Sequence, residues 1–367
     1  MSRVYLDHNA TTPLRAEARA AMIAAMDVVG NPSSVHAEGR AAKGVVETAR
    51  AQVAELVGCL TSQVIFTGSA TEAAALAVAQ KDRHGGAFAA LPTEHDCLNV
   101  WSELDLPALH RADGTVGSLD VLDGQATLVA VSAANSETGI MMPDGCVVAS
   151  DGDRTVVCDI TQLAGKMPVL YPEGRKPAYM ILSAHKIGGP KGVGAFINFT
   201  RDDPQAILKG GGQEMGRRSG TENVIGIAGF GAAAEAAHSD VAAGKWHRVE
   251  KLRNILEESL EAASEVTISV GKDSVRLPNT ACLATSGWKG ETQVMQMDLA
   301  GFSVSAGSAC SSGKVSRSRV LEAMGYDDQT AGGAIRVSLG LDTTEDDVAR
   351  FCDAWISKYQ RHRARAA

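Results

Sequence analysis

Six short runs of almost wholly apolar residues constrain this chain more than any other feature: Val64–Thr67, Ala87–Leu91, Thr127–Ser132, Thr155–Cys158, Tyr179–Ser183 and Gly194–Asn198. A strand wetted on one face alternates apolar and polar residues, whereas a strand buried on both faces reads as a continuous apolar run. The spacing leaves room for a helix between several pairs, as right-handed crossovers require. The expected fold is therefore α/β, a mostly parallel central sheet flanked by helices. Pro13 reads as a helix start, with Leu14, Ala18, Met22, Ala25, Met26 and Val29 as the helical stripe. A second helix is expected from near Val35 to Val57, stopping at Gly58. Pro143-Asp144-Gly145 and Asp151-Gly152-Asp153 bracket only Cys146–Ser150, which predicts a shortened or irregular crossover. The Ala- and Glu-rich stretch from Val224 to about Ser264 reads as one long helix. Beyond it, Val266–Val270, Asn279–Ala284 and Ile335–Leu339 read as strands and Thr344–Ser357 as a helix. The basic end (Lys358, Arg361, Arg363, Arg365) reads as a solvated helix terminus.

At 367 residues the chain suggests two domains, or one large domain with an appendage. Its 35 Lys and Arg against 43 Asp and Glu, a net charge of −8, argue against nucleic acid or an anionic membrane as main partner. Seven Cys without a CxxC pair indicate neither a disulfide framework nor a metal site. No apolar leader core and no membrane-length apolar run occur, so a reducing cytoplasm is the expected compartment.

Several strand ends carry groups that can do chemistry. Thr67-Gly68-Ser69-Ala70-Thr71-Glu72 places small residues and hydroxyls at a helix N-terminus, where an anion could sit; taken alone, an ordinary helix cap is the commoner meaning. Ser183-Ala184-His185-Lys186-Ile187-Gly188-Gly189-Pro190 follows a strand, and Lys186 is either a solvated loop lysine or a Schiff-base lysine. It lacks the P-loop pattern. Asp159 ends a buried strand, where a carboxylate needs a cationic or hydrogen-bonded partner. An Asp that protonates a pyridine nitrogen, with a lysine imine nearby, is the pairing a pyridoxal phosphate (PLP) enzyme needs; a loop-capping Asp is an equal alternative until Lys186 is considered. Thr93-Glu94-His95 offers an imidazole to stack or shuttle protons. Gly210–Gly212 leads into the donor-rich Arg217-Arg218-Ser219-Gly220-Thr221. Cys310 sits in a loop of small residues, Gly307–Gly313, where a thiol serves as nucleophile; the other six Cys read as core fillers.

In this order the pieces resemble the class I cysteine desulfurases of nitrogen fixation and iron–sulfur assembly. Tyr5–Pro13 and Gly30–His36 look like the opening of that family, and Ser183–Lys186, Gly210–Thr221 and Ser308–Cys310 like its core motifs. The resemblance implies the PLP-dependent transferase fold of type I, with a large PLP-binding domain over 14–254. A smaller α+β domain would comprise 1–13 and 255–367 and carry the catalytic loop at about 303–318. It implies that Lys186 holds PLP and moves the Cα proton, that Asp159 pairs with the pyridine nitrogen, that Gln162 contacts the ring hydroxyl side and that His95 stacks on the ring. Ala70, Thr71, Ser183 and His185 would hold the phosphate, joined by Thr221 of the other subunit of a homodimer. Arg336 would clamp the α-carboxylate of L-cysteine as a bidentate fork, helped by Asn31. Cys310 would take the sulfur as a persulfide, with His95 as its acid–base partner, and a sulfur acceptor or scaffold protein would follow.

The chain departs from the family pattern in places. Asn135-Ser136-Glu137 stands where Asn-Asn-Glu is usual, so Ser136 falls at the ring-contacting position and Asn135 is its possible substitute. Asp96 replaces a common Lys. The alternatives are a lyase acting on selenocysteine or cysteine sulfinate, and a catalytically degenerate relative serving as a sulfur-relay partner.

Overall fold

The computed structural model describes residues 3–113, 117, 127–142, 145, 147–151, 154–307 and 317–366. Six strands form one sheet in the order Val64–Thr67, Gly194–Asn198, Tyr179–Ser183, Arg154–Asp159, Thr127–Ser132, Ala87–Ala90. Only Gly194–Asn198 runs against its neighbours; the others are parallel. Because side chains alternate along a strand, each apolar run feeds two cores. Phe66, Val129, Val131, Val156, Met180 and Leu182 pack on one face against Val46, Val53 and Phe230 of the helices Ala37–Val57 and Val224–Ala242. Ile65, Leu128, Ala130, Val157 and Ile181 pack on the other against Ala73, Leu76 and Ala77 of the helix Ala70–Val78. That double burial is why the runs are continuous in sequence.

A second, antiparallel sheet has the order Ser305–Ala306, Ala334–Ser338, Thr280–Thr285, Thr267–Ser269. Its core contains Trp288, Phe351 and Trp355, the apolar face of the helix Trp246–Ala263, and Val4 and Leu6 from the chain start. Val4–Tyr5 pairs in parallel with Phe302–Ser303, and Asp7 bridges to Ser338. The first residues thus lie on the second sheet, and the chain crosses from there to the turn after Tyr179–Ser183, where Thr12 N–H bonds His185 O.

Three expectations need correction. The long helix is two, Val224–Ala242 and Trp246–Ala263. Gly244, at φ +66, turns the backbone out of the helical region, and its N–H caps Val241. The first helix spans Ala16–Met26 rather than starting at Pro13. Arg15 is extended because its N–H bonds Gly188 O and its guanidinium bonds Ile187 O and Asp240. Of the expected stripe only Ala18 and Ala25 are buried, while Met26 and Val29 face outward. The last helix runs on from Glu345 to Ala366, well past Ser357. Between Ser132 and Arg154 no helix forms among the described residues; Pro143, Asp144, Cys146, Gly152 and Asp153, on which the expected irregular crossover rests, lie outside them.

Candidate active site

A cavity of about 480 Å³ opens at the carboxyl ends of the parallel strands, where open α/β sheets place ligands. Strand ends supply Ser132, Asp159 and Ser183, and the following turns supply His95, Asn135, Thr161, Gln162, His185 and Lys186. The second sheet closes the opposite wall with Ser305 and Arg336, and the chain start adds Asp7, Asn9 and Ala10. Ala70, Thr71, His95, Asn135, Ser136, Asp159, Gln162, Ser183, His185, Lys186 and Arg336 therefore meet in one cavity.

Lys186 Nζ donates to Asn9 O at 2.6 Å and Ala10 O at 2.9 Å. Asp159 is buried, and one of its carboxylate oxygens accepts Thr161 N–H at 2.8 Å. Its neighbour across the sheet, Ser132, bonds Glu94 through both N–H and hydroxyl. Burial pushes the Glu94 carboxyl up to about 7. His95 Nδ1 accepts the N–H of Cys97 at 3.1 Å, so the neutral ring carries its proton on Nε2. His185, beside Thr11, is driven down to about 4 by burial and by the cations of Lys186 and Lys191. Ser69 caps the helix Ala70–Val78 by accepting Glu72 N–H. Strand residue Gly194 lets that helix end approach closely, since an added Cβ would lie 2.5 Å from Ser69 C and 2.8 Å from Ala70 N. The first-turn N–H groups at Ala70 and Thr71 thus face the cavity as an anion cup.

Arg336 Nη2 donates to Asp7 at 2.8 Å and Nη1 to Ser136 O at 3.0 Å, while its buried Nε has no hydrogen-bond partner. Thr161 Oγ1, also on the cavity wall, is likewise buried without a partner. Asn135 lines the cavity, but its side chain is committed to an Asx turn, accepting Glu137 and Thr138 N–H and donating to Thr93 O. Ser136 therefore faces the cavity without a long amide beside it.

Two expected residues lie elsewhere. Asn31 is exposed and accepts Ser33 N–H, and Thr221 is exposed; neither lines this cavity. They share one surface, because Gln213 bridges Ser33 and Gly220. Cys310 and Cys146 lie outside the described residues. Four of the other Cys are buried and Cys59 is half-buried, as core fillers should be, but Cys97 also touches the cavity.

Sequence reasoning missed Asp7, Asn9, Glu94, Ser132, Thr161 and Lys166. Asp7, Asn9 and Glu94 sit inside quoted motifs but carry no individual signal. Nothing local marks Lys166, a lysine buried beneath Gln162. Among the described residues no group of three or more His, Cys, Asp or Glu is placed to hold a metal ion, and no helix is long and apolar enough to cross a membrane.

The chain matches the aminotransferase class-V family over residues 4–351. It is similar to a cysteine desulfurase of Cereibacter sphaeroides, 37% identical with 96% of this chain and 95% of the relative covered. An IscS-like cysteine desulfurase of Mycobacterium tuberculosis is 34% identical, covering 94% of this chain and 93% of its own. Among solved structures, a NifS-like protein from Rickettsia africae superposes with a TM-score of 0.85 at 29% identity, over 98% of this chain and 99% of that one.

Proposed function

The chain belongs to the aminotransferase class-V family and, within it, to the cysteine desulfurases, and from that premise we propose that it converts L-cysteine to L-alanine and keeps the sulfur as a persulfide on Cys310. Members of this family are PLP enzymes, and the residues of this cavity fit that group. The observation that carries the reading is one juxtaposition: the Lys186 amine and the buried Asp159 carboxylate face one cavity that also holds a helix N-terminus and an unsatisfied arginine nitrogen.

Lys186 would hold the cofactor covalently, Asp159 its pyridine nitrogen, and Gln162 and His95 its ring. Ala70, Thr71, Ser183 and His185 would take the phosphate, with Thr221 of a partner subunit. When bound, PLP supplies an electron-poor ring that stabilises negative charge at a substrate's Cα. The chain's own residues do the rest. Arg336 binds the α-carboxylate, using the Nε that lacks a partner, and Asp7 keeps the guanidinium oriented. Lys186 Nζ moves the proton at Cα. The low pKa of His185 keeps that ring neutral, a hydrogen-bonding rather than a charged contact. A thiol of ordinary pKa about 8.5 is mostly protonated at neutral pH, so Cys310 needs a proton acceptor, and His95 is the imidazole at hand.

A homodimer extends the reading. Val29 and Val35, which flank Asn31 along the chain, are 91% and 88% exposed, and Met215, close in sequence to the Gln213 that bridges Ser33 and Gly220, is exposed too. A second copy seated there would cover the apolar residues and bring Thr221 to the neighbouring cavity. We further assign the site's large-sheet wall to a domain of residues 14–244 and its other wall to one of residues 1–13 and 245–367, moving the expected boundary from 254 to the Gly244 turn because Val249 and Leu252 pack in the second core. The persulfide would supply a sulfur acceptor protein in the cytoplasm, for iron–sulfur clusters or another sulfur-transfer route.

The test is turnover of L-cysteine by the PLP-loaded protein, with alanine and reductant-released sulfide both measured. Wild type is expected to form both in equal amounts. Cys310→Ala is expected to keep the visible band of lysine-bound PLP and to lose alanine formation. Alanine production by Cys310→Ala at the wild-type rate would overturn the nucleophilic role.

A further inference from the structure

Lys166 ends the turn that follows Asp159 and is only 3% exposed. An ammonium has three donors and no acceptor. All three are used here on neutral oxygens: Gln162 Oε1 at 2.8 Å, Gln162 O at 3.0 Å and Asn9 Oδ1 at 3.4 Å. Among the described residues no carboxylate pairs with it. Burying a cation without a counter-ion is expensive, and Lys186 and Arg336 add repulsion, so that its pKa falls well below the ordinary lysine value. A methionine of similar length would avoid that cost.

The arrangement has a directional consequence. With Lys166 donating to it, the Gln162 amide turns Oε1 toward the lysine and Nε2 away. One Nε2 hydrogen goes to Asn9 O at 3.0 Å, the same carbonyl that accepts Lys186 Nζ at 2.6 Å. The other meets no acceptor among the described residues, and Gln162 lines the cavity. Behind this partition lies a second cavity of about 490 Å³, bounded by His8, Lys166, Lys186 and Asp342, so the charge sits in a wall between two hollows.

Taking the PLP reading above as its basis, we propose that Lys166 is a positioning residue of the site. It locks the Gln162 amide with an N–H aimed into the cavity and leaves a positive charge that an anionic oxygen of the bound cofactor relieves.

The experiment is titration of PLP-free protein with PLP, read by the visible band and by thermal unfolding. Lys166→Met is expected to fold at least as stably as wild type, because a buried charge is gone, yet to bind PLP about 10-fold more weakly, the lower end of what loss of a supporting partner costs. Gln162→Glu gives Lys166 its missing counter-ion and removes the N–H; its Tm is expected to rise while PLP affinity falls. Lys166→Met added to Gln162→Leu is expected to weaken PLP binding no further than Gln162→Leu alone. Should Lys166→Met fail to fold, the opposed response of Gln162→Glu still decides. Wild-type affinity and spectrum in Lys166→Met, or an unchanged Tm and PLP affinity in Gln162→Glu, would overturn the inference. If wild type itself forms no lysine-bound PLP band, the functional reading fails instead.

Discussion

Arg50 and Lys166 are both buried cations, in opposite electrical settings. Arg50 meets Glu214 as a two-pronged pair at 2.7 and 2.8 Å, donates also to Val64 O, and lies over the Phe66 ring. Glu214 accepts Phe66 N–H as well, and this pairing holds its backbone at φ +49, a left-handed conformation uncommon outside glycine. Every charge there is answered, and the cluster fastens the 210–221 stretch to the edge strand Val64–Thr67. Lys166 pairs with no carboxylate among the described residues. Among the described residues the buried carboxyl of Glu94 forms no ion pair either and accepts the N–H and hydroxyl of Ser132. The buried charge that fastens the edge strand is met by an opposite charge, as Arg336 is by Asp7 in the cavity, whereas Lys166 behind the cavity is met by neutral oxygens.

The sharpest way to break this contrast is Glu214→Ala. It removes the two-pronged partner of buried Arg50 and leaves it only the half-exposed Glu47, and unfolding in urea is expected to show a loss of about 3–5 kcal/mol. Arg50→Met with Glu214→Leu is expected to recover most of it. A loss under about 1 kcal/mol for the single change would mean that the pair does not carry the fold. Next comes Arg336→Lys, which keeps the charge but removes the fork and Nε. KM for L-cysteine is expected to rise about 10-fold to 100-fold, the value of one or more charged hydrogen bonds; an unchanged KM would remove Arg336 from the substrate site.

The smallest effect is a slope. The Glu94 carboxyl rises from the unfolded 4.5 to about 7 in the folded chain, so the folded state binds the extra proton between those values. The stability this confers is full below pH 4.5 and is lost as pH climbs through 7. Glu94→Gln, which can still accept from Ser132, is expected to flatten that part of the stability–pH curve. An identical curve in both proteins would place the titration elsewhere.

Much of the first sheet was legible because its cause is local. Val64–Thr67, Thr127–Ser132, Tyr179–Ser183 and Gly194–Asn198 are apolar on both faces, so burial is written into consecutive residues. Asp159, Ser183 and Lys186 were legible with them, since they stand at or just past strand ends. The break at Gly244 was hidden by helix formers on both sides, and the outward face of Ala16–Met26 by a stripe that looks like a core face. Asp7 and Arg336 pair across 329 residues of chain, and Asn9 reaches Thr280 and Ser136. No local pattern records such partners.

By itself the sequence determined the parallel sheet, the strand ends that carry Asp159 and Lys186, and the family likeness that follows from their order. Only the tertiary structure decided how the cavity closes: the chain start crosses between the sheets, Asp7 takes Arg336, and Lys166 is sealed beneath Gln162 among neutral oxygens. Periodicity and chain propensity act between near neighbours and can be read along the chain. Whether a charge is answered depends on which distant groups arrive beside it once water has left.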